Sequence, residues 1–298
     1  PFDEHAQLEW SPVWSLTEER WKYLPSAYLY FNYVRNKDQF YTWADSNGNA
    51  SGNTLEEAIL QGFFEVVERD SVALWWYNML NRPGVDLASF NDPWINKLVA
   101  RYADMDRELW VLDITSDLGI PTFAGITRRT DKEQEDMLIG FGAHFDAKIA
   151  LTRALTEVNQ FMPAVMDIPA EGKPDYKFDD PAMLQWWRYA TLENQPYLAP
   201  SDTLPQTTPA DYSTEFRQDI LEDVKYCQEL VESRGMEMLI HEQTRPDINI
   251  PVVKGIVPGM RHFWARLGPG RLFDVPVEMG WLSEPTPEKQ LNPIPVFI

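Results

Sequence analysis

The chain has 298 residues, 44% hydrophobic and 13% aromatic, which is enough apolar material for one large core or two smaller ones. Its formal net charge of −20 excludes broad docking on nucleic acid or an anionic membrane, because either needs a basic face to displace counterions. A single cysteine, Cys227, excludes an internal disulfide, and His5, His144, His241 and His262 are spaced too widely in sequence for a zinc motif. No apolar run reaches the roughly 18 residues of a membrane span, and no charged-then-apolar leader opens the sequence, so a cytoplasmic location is expected. The chain starts at Pro1 rather than Met, and residues 1–12 show no start of a domain, which reads as part of a longer polypeptide.

The aromatic stretch 28–43, polar at 36–38, predicts a β-hairpin. The loop 44–53 is rich in Asn, Gly and Ser, residues that supply turns with φ > 0 and leave amides free to meet an anion. Thr54 as N-cap and Glu57 as N3 form a capping box, opening a helix that runs to about Leu80 before Arg82-Pro83 ends it. At about 100° per residue, Glu57, Gln61, Glu65 and Glu68 fall within roughly 80° of arc, with Arg69 beside them. Ile59, Leu60, Phe63, Val66 and Val67 lie on the opposite, core-facing side. Carboxylates at i, i+4 repel by ~0.2–0.5 kcal/mol per pair, so the stripe reads either as a cation site, with Mg²⁺ the natural occupant, or as ordinary salt bridges to Arg69 and Arg153. Glu57 by itself reads equally well as nothing more than the cap.

A second amphipathic helix is expected over 92–106, then strands over 108–114, 122–127 and 138–141. Gly140-Phe141-Gly142 lacks the full glycine spacing of a dinucleotide fingerprint and marks a close approach of backbone instead. Asp146 caps a helix over 147–162, on which Arg153, Glu157 and Gln160 share a face about 60° wide. Prolines and acids over 163–211 predict an excursion across the surface, with a short helix at 183–189. Helical period returns over 212–234, strands follow at 236–242 and 250–257, and Arg266 and Arg271 flank Gly268-Pro269-Gly270. Alternating helices and strands give an α/β or α+β class with a mixed sheet.

Hard carboxylate oxygens suit Mg²⁺, and the rigid guanidinium forks of Arg69, Arg153, Arg266 and Arg271 suit phosphate, so the residue types point to metal-assisted phosphate chemistry. No Walker A sequence, kinase signature or nucleophile elbow is present. Trp75-Trp76-Tyr77 and Trp186-Trp187 divide between core and a ligand surface, since neighbours on a helix point in different directions. Cys227, with no activating base nearby in sequence, is structural, and His144 reads as packed ahead of polarising a substrate.

Five stretches in one order, SNGNASGNTLEEAILQGFFEVVERDSVALWWYN, LGIPTFAGIT, GFGAHFDAKIALTRALTEVNQF, IPVVKGIVPGMRHFWARLGPGRLFDVPVEMGWL and LNPIPVFI, resemble the YcaO family over about 14–298. The resemblance is to its azoline-forming cyclodehydratases. It implies a YcaO-type fold and an ATP- and Mg²⁺-dependent enzyme that modifies ribosomally made peptides such as bacteriocins. In such enzymes a Cys, Ser or Thr side chain attacks the preceding backbone carbonyl, ATP phosphorylates the amide oxygen, and loss of phosphate leaves a thiazoline or oxazoline. By the same resemblance Glu57, Gln61, Arg69, Arg153, Glu157, Gln160, Arg266 and Arg271 bind ATP, and Glu65 and Glu68 bind the metal. Family members often end in a Pro-x-Pro-x-Pro tail that enters the active site. Pro293 and Pro295 match it, Phe297 replaces the third proline, and the carboxylate of Ile298 is expected to serve as a base.

The family's earlier Ser-x-x-x-Glu-x-x-Glu-Arg element is not found before Ser46, so the chain is expected to be the C-terminal major part of the domain, with half of the nucleotide site missing. Implied partners are a precursor peptide with its leader, a leader-binding ubiquitin-activating-enzyme-like module, a flavin-dependent azoline oxidase and a second copy in a homodimer. Two other readings stay open: thioamide or amidine formation on the same fold, and a non-catalytic scaffold for the precursor.

Overall fold

The computed structural model describes residues 5, 7–33, 41–166, 176–177, 179–213 and 217–297. The chain divides into two compact units, Pro1–Val66 with Phe216–Met260, and Val67–Glu215 with Arg261–Ile298.

In the first unit β1 (Trp10–Ser15) and β2 (Arg20–Pro25) form an antiparallel hairpin, followed by a one-turn helix α1 (Ser26–Leu29) and the short strand β3 (Asn49–Ser51). Helix α2 (Leu55–Asn78) begins in this unit and ends in the other. The hairpin expected over 28–43 is not formed: Tyr28 and Leu29 lie in α1, 41–45 carry no strand, and 34–40 fall outside the described residues. The true hairpin escaped because its apolar signal is inverted. Val13 and Ser15 point inward while Trp10, Trp21 and Tyr23 are more than half exposed.

The second unit continues with α3 (Pro93–Ala103) and the strands β4 (Arg107–Asp113), β5 (Thr122–Arg129) and β6 (Leu138–Ala143), which pair antiparallel in that order. Helix α4 (Ala147–Met166) packs across β5 and β6. A Cβ at Gly142 would lie 2.2 Å from the Ala150 carbonyl, so the close approach expected at Gly140-Phe141-Gly142 is present and admits no side chain. Asp146 caps α4, its Oδ1 accepting from Lys148 N at 2.7 Å and Ile149 N at 3.2 Å. The helix runs four residues beyond the expected end, through Pro163.

Helix α5 (Pro181–Tyr189) lies in the segment expected to cross the surface, and there the expectation is corrected. Trp186, Trp187, Tyr197 and Leu198 are buried in the same core as Trp75, Trp76 and Phe141. Large aromatic groups supply that burial without a helical period. Trp186 Nε1 donates to Met137 O at 3.0 Å, and Trp110 Nε1 to Leu198 O at 2.8 Å.

Back in the first unit, α6 (Ile220–Ser233) starts after its cap Asp219 rather than at 212 and buries Val224, Cys227 and Val231, an i, i+3, i+7 face. Strands β7 (Leu239–Glu242) and β8 (Val252–Ile256) complete a sheet of order β2-β1-β7-β8-β3. The mixed sheet of the expectation is therefore two separate sheets, and every named strand pair in them is antiparallel. The α+β character is as expected. Helix α7 (Arg271–Glu278) follows in the second unit.

Candidate functional site

The site begins at the loop before α2. Lys254 and Asp45, both buried in the first unit, are ion-paired at 3.1 Å, and the ammonium also donates to Asp45 O at 2.6 Å and Asn47 O at 2.9 Å. Gly48, at φ 76°, accepts at its carbonyl from Gly255 N at 2.8 Å, and a Cβ there would fall 2.0 Å from the Gly255 carbonyl. The loop amides are used internally: Asn47 N meets Asp45 Oδ1, Asn49 N meets Ser46 O, Gly52 N meets Pro251 O and Asn53 N meets Glu57 Oε2. The loop is thus a braced lead-in to α2 and not the row of free amides expected.

Thr54 Oγ1 accepts from Glu57 N at 3.2 Å, and Glu57 Oε2 accepts from Asn53 N and Nδ2 at 2.7 and 2.8 Å. Those Asn53 bonds hold the Glu57 carboxyl below its ordinary value. Glu57 therefore acts as a cap in this structure. Gln61, Glu65, Glu68 and Arg69 follow along α2, each half-buried, on the face their spacing predicted.

Within the second unit Glu68 lines a depression of about 490 Å³ together with Phe141, Lys148, Arg153, Glu157 and Gln160. The structure thus brings together four of the expected residues from two helices. Arg153 donates from Nη1 to Ala143 O at 3.0 Å; burial pulls its pKa down, and the charge of Glu68 opposes that. Glu157 accepts from Phe141 N through Oε2. Burial drives its carboxyl above the ordinary range, against the pull of that N–H and of Arg69. Arg69 stands over the Phe263 ring at 4.4 Å and the Trp264 ring at 5.2 Å, a cation–π platform.

Arg271 is placed differently. Its Nη2 meets Asp70 Oδ2 at 2.6 Å and Asp117 Oδ1 at 2.7 Å, Nε reaches both Asp70 oxygens, and Nη1 donates to Asp117 Oδ2 at 3.1 Å. Burial alone would lower its pKa, but Asp70 and then Asp117 outweigh that and hold it above the usual arginine value. Nearly all its donors are spent, so it anchors the loop before α7 and has little left for phosphate. Arg266 is exposed on that loop, and Arg261 Nη2 braces it by donating to Gly268 O at 2.7 Å. Asp70 also accepts from Arg261 N at 2.7 Å. Sequence reasoning missed this hub. The signal was there: an acid at a buried position of a helix demands a buried partner.

Pro293 and Pro295 line another cavity that shares no residue with the charged depression, and Ile298 lies outside the described residues. Among the described residues no group of three or more His, Cys, Asp or Glu is placed to hold a metal ion by itself. Within the second unit the Glu68 carboxylate, beside Arg153, suits Mg²⁺ taken up together with a polyphosphate, because that ion keeps waters and phosphate oxygens in its shell. The donor set fits that mode of binding and no stand-alone metal centre.

Residues 1–261 match the sequence model of a family described as YcaO cyclodehydratase, ATP- and Mg²⁺-binding. The chain belongs to the YcaO family. Its fold is similar to that of a heterocyclase solved in complex with substrate and cofactor, at TM-score 0.93 and 51% identity over 99% of this YcaO chain. The heterocyclase TruD is similar at TM-score 0.87 and 48% identity over 97%. This chain spans 38% and 39% of the length of those two proteins. An uncharacterized protein of Methanothermobacter thermautotrophicus is 29% identical over 264 residues, 88% of this chain and 67% of its own. Among the described residues no helix is long and apolar enough to cross a membrane.

Proposed function

We propose that the protein of which this chain is a part carries out ATP- and Mg²⁺-dependent cyclodehydration of Cys, Ser or Thr residues in a ribosomal precursor peptide. The observation that carries the reading is the 51% identity, over nearly the whole chain, to a heterocyclase. In the reaction the side-chain thiol or hydroxyl gives up its proton to a base and bonds to the preceding carbonyl carbon, and the former carbonyl oxygen takes the γ-phosphoryl group of ATP, releasing ADP. That oxygen then leaves with the phosphate, the ring nitrogen loses its proton, and a C=N bond closes the azoline. Mg²⁺, when bound, supplies charge neutralisation on the phosphates.

On this reading Glu65 and Glu68 hold the metal. Arg69, Arg153 and Arg266 face phosphate, and Gln61, Glu157 and Gln160 bind the nucleotide. Glu57 shapes the entrance to α2 through its cap. Arg271 acts at one remove, by fixing the loop that carries Arg266. Placing Arg69 on an aromatic platform keeps its fork aimed, so less freedom is lost when phosphate arrives. Precursor leader, leader-binding module, flavin-dependent oxidase and a homodimeric partner belong to the same reading, as does a cytoplasmic site of action.

The test uses the full-length protein with its precursor peptide. ATP-dependent loss of one water per Cys, Ser or Thr, with one phosphate released per ring, is the expected result. Glu65→Gln should lower turnover by about 100-fold or more, since removal of a charge-stabilising group at phosphoryl transfer costs about 3 kcal/mol. Unchanged turnover in that variant would take Glu65 out of the metal site, and an unmodified peptide from the wild type would discard the reaction.

A further inference from the structure

Lying against α5 and the C-terminal residues 293–297 is a cavity of about 300 Å³ in the second unit. Trp186 and Phe297 line it, their rings 5.1 Å apart, with Pro293, Pro295, Tyr189 and Gln185 around them. Among the described residues no Lys, Arg, His, Asp or Glu lines it, whereas Glu68, Lys148, Arg153 and Glu157 all line the charged depression. In a chain of net charge −20 that neutrality is selective. Among the described residues a phosphate entering it would meet no cationic side chain and an ammonium no side-chain carboxylate, so either would lose hydration without compensation from them.

The C-terminal side of the cavity is also firmly built. Asn292, 3% exposed, donates its backbone N–H to Tyr77 O at 2.8 Å and its Nδ2 hydrogens to Tyr197 Oη at 3.0 Å and Trp76 O at 3.3 Å. Its Oδ1 accepts from Ile294 N at 3.0 Å, and Trp76 Nε1 donates to Ile294 O at 2.7 Å. These bonds tie 292–294 to carbonyls of the last turn of α2, and they fix the segment before any ligand arrives. Phe297 is held further by its edge contact with Trp76.

We propose that this cavity is a subsite for one bulky, uncharged side chain of a peptide, which is the substrate class of the reaction proposed above and rests on that reading. Aromatic and proline surfaces remove an apolar side chain from water, and the amides of Gln185 and Gln195 offer a donor and an acceptor each to a peptide backbone. The volume stands at the low end for ligand sites, which suits a single residue with its flanking amides and excludes a folded partner.

The test is an NMR titration of the full-length protein with the capped tripeptides Ac-Gly-X-Gly-NH₂, where X is Phe, Leu, Asp or Lys. The Phe and Leu peptides are expected to bind at least about 10-fold more tightly than the charged pair. Ala182→Trp, on the exposed first turn of α5 where the residue lines the cavity, is expected to weaken the Phe peptide by about 10-fold or more, with thermal unfolding reporting that the variant is folded. Equal affinities for the four peptides, no binding by any of them, or undiminished binding in Ala182→Trp would overturn the subsite. The titration needs no ATP. Selective binding by a protein that makes no azoline would therefore support the subsite while counting against the reaction.

Discussion

Glu157 shows how one residue's position sets its chemistry. Its place on the polar face of α4 was readable from spacing, but its burial and its bond from Phe141 N were not, because they depend on how closely α4 lies over β6. Burial raises the carboxyl above its ordinary value of 4.5, so the folded chain keeps that proton where the unfolded chain has released it. The sign follows: stability tied to this group is complete below about 4.5 and declines as pH rises through the raised value. Glu157→Gln keeps an acceptor for Phe141 N and removes the titration. Its thermal midpoint should therefore gain on the wild type as pH is raised from about 4 to about 7. A difference that stays constant across the range would show that the carboxyl is not held up by burial.

At the scale of elements, glycine positions separate contact from conformation. At Gly142 a Cβ meets the α4 backbone at 2.2 Å, whereas Gly119, at φ 67°, has nothing within 4 Å. Gly142→Ala should cost about 3 kcal/mol or more by forcing α4 off β6, and Gly119→Ala about 1 kcal/mol from backbone strain alone. Chemical denaturation of both variants measures this, and equal losses would refute the packing argument. The sequence located α2, α3, α4 and the strands β4 to β6 to within a few residues, since caps such as Asp146 and strand alternation are local signals. It misplaced the hairpin, whose aromatic residues face outward, and within 163–211 it placed the helix at 183–189 but missed that Trp186 and Trp187 enter the core.

For the whole molecule, the charge of −20 acts over distances longer than any single ion pair. Raising salt from about 10 mM to about 150 mM shortens the screening length from about 30 Å to about 8 Å, which relieves repulsion among the surplus acids. Buried pairs such as Lys254–Asp45 and Arg271–Asp70 are screened far less. The thermal midpoint of the chain should therefore rise with salt. A fall would mean that exposed ion pairs contribute more to stability than the net charge takes away.

The sequence by itself determined the family, the polar stripe of α2 and its counterpart on α4, because helical spacing and long ordered motifs are properties of the chain. Only the tertiary structure decided what each charge lies against. Two arginines that look alike in sequence part company there: Arg69 lies on Phe263 and Trp264, while Arg271 is spent on Asp70 and Asp117. Tertiary contacts also gave the C-terminal prolines a cavity apart from the charged depression, through Asn292 and the end of α2. The physical reason is the same in each case. A side chain's chemistry is fixed by the partners that close around it, and those partners come from more than 40 residues away in sequence.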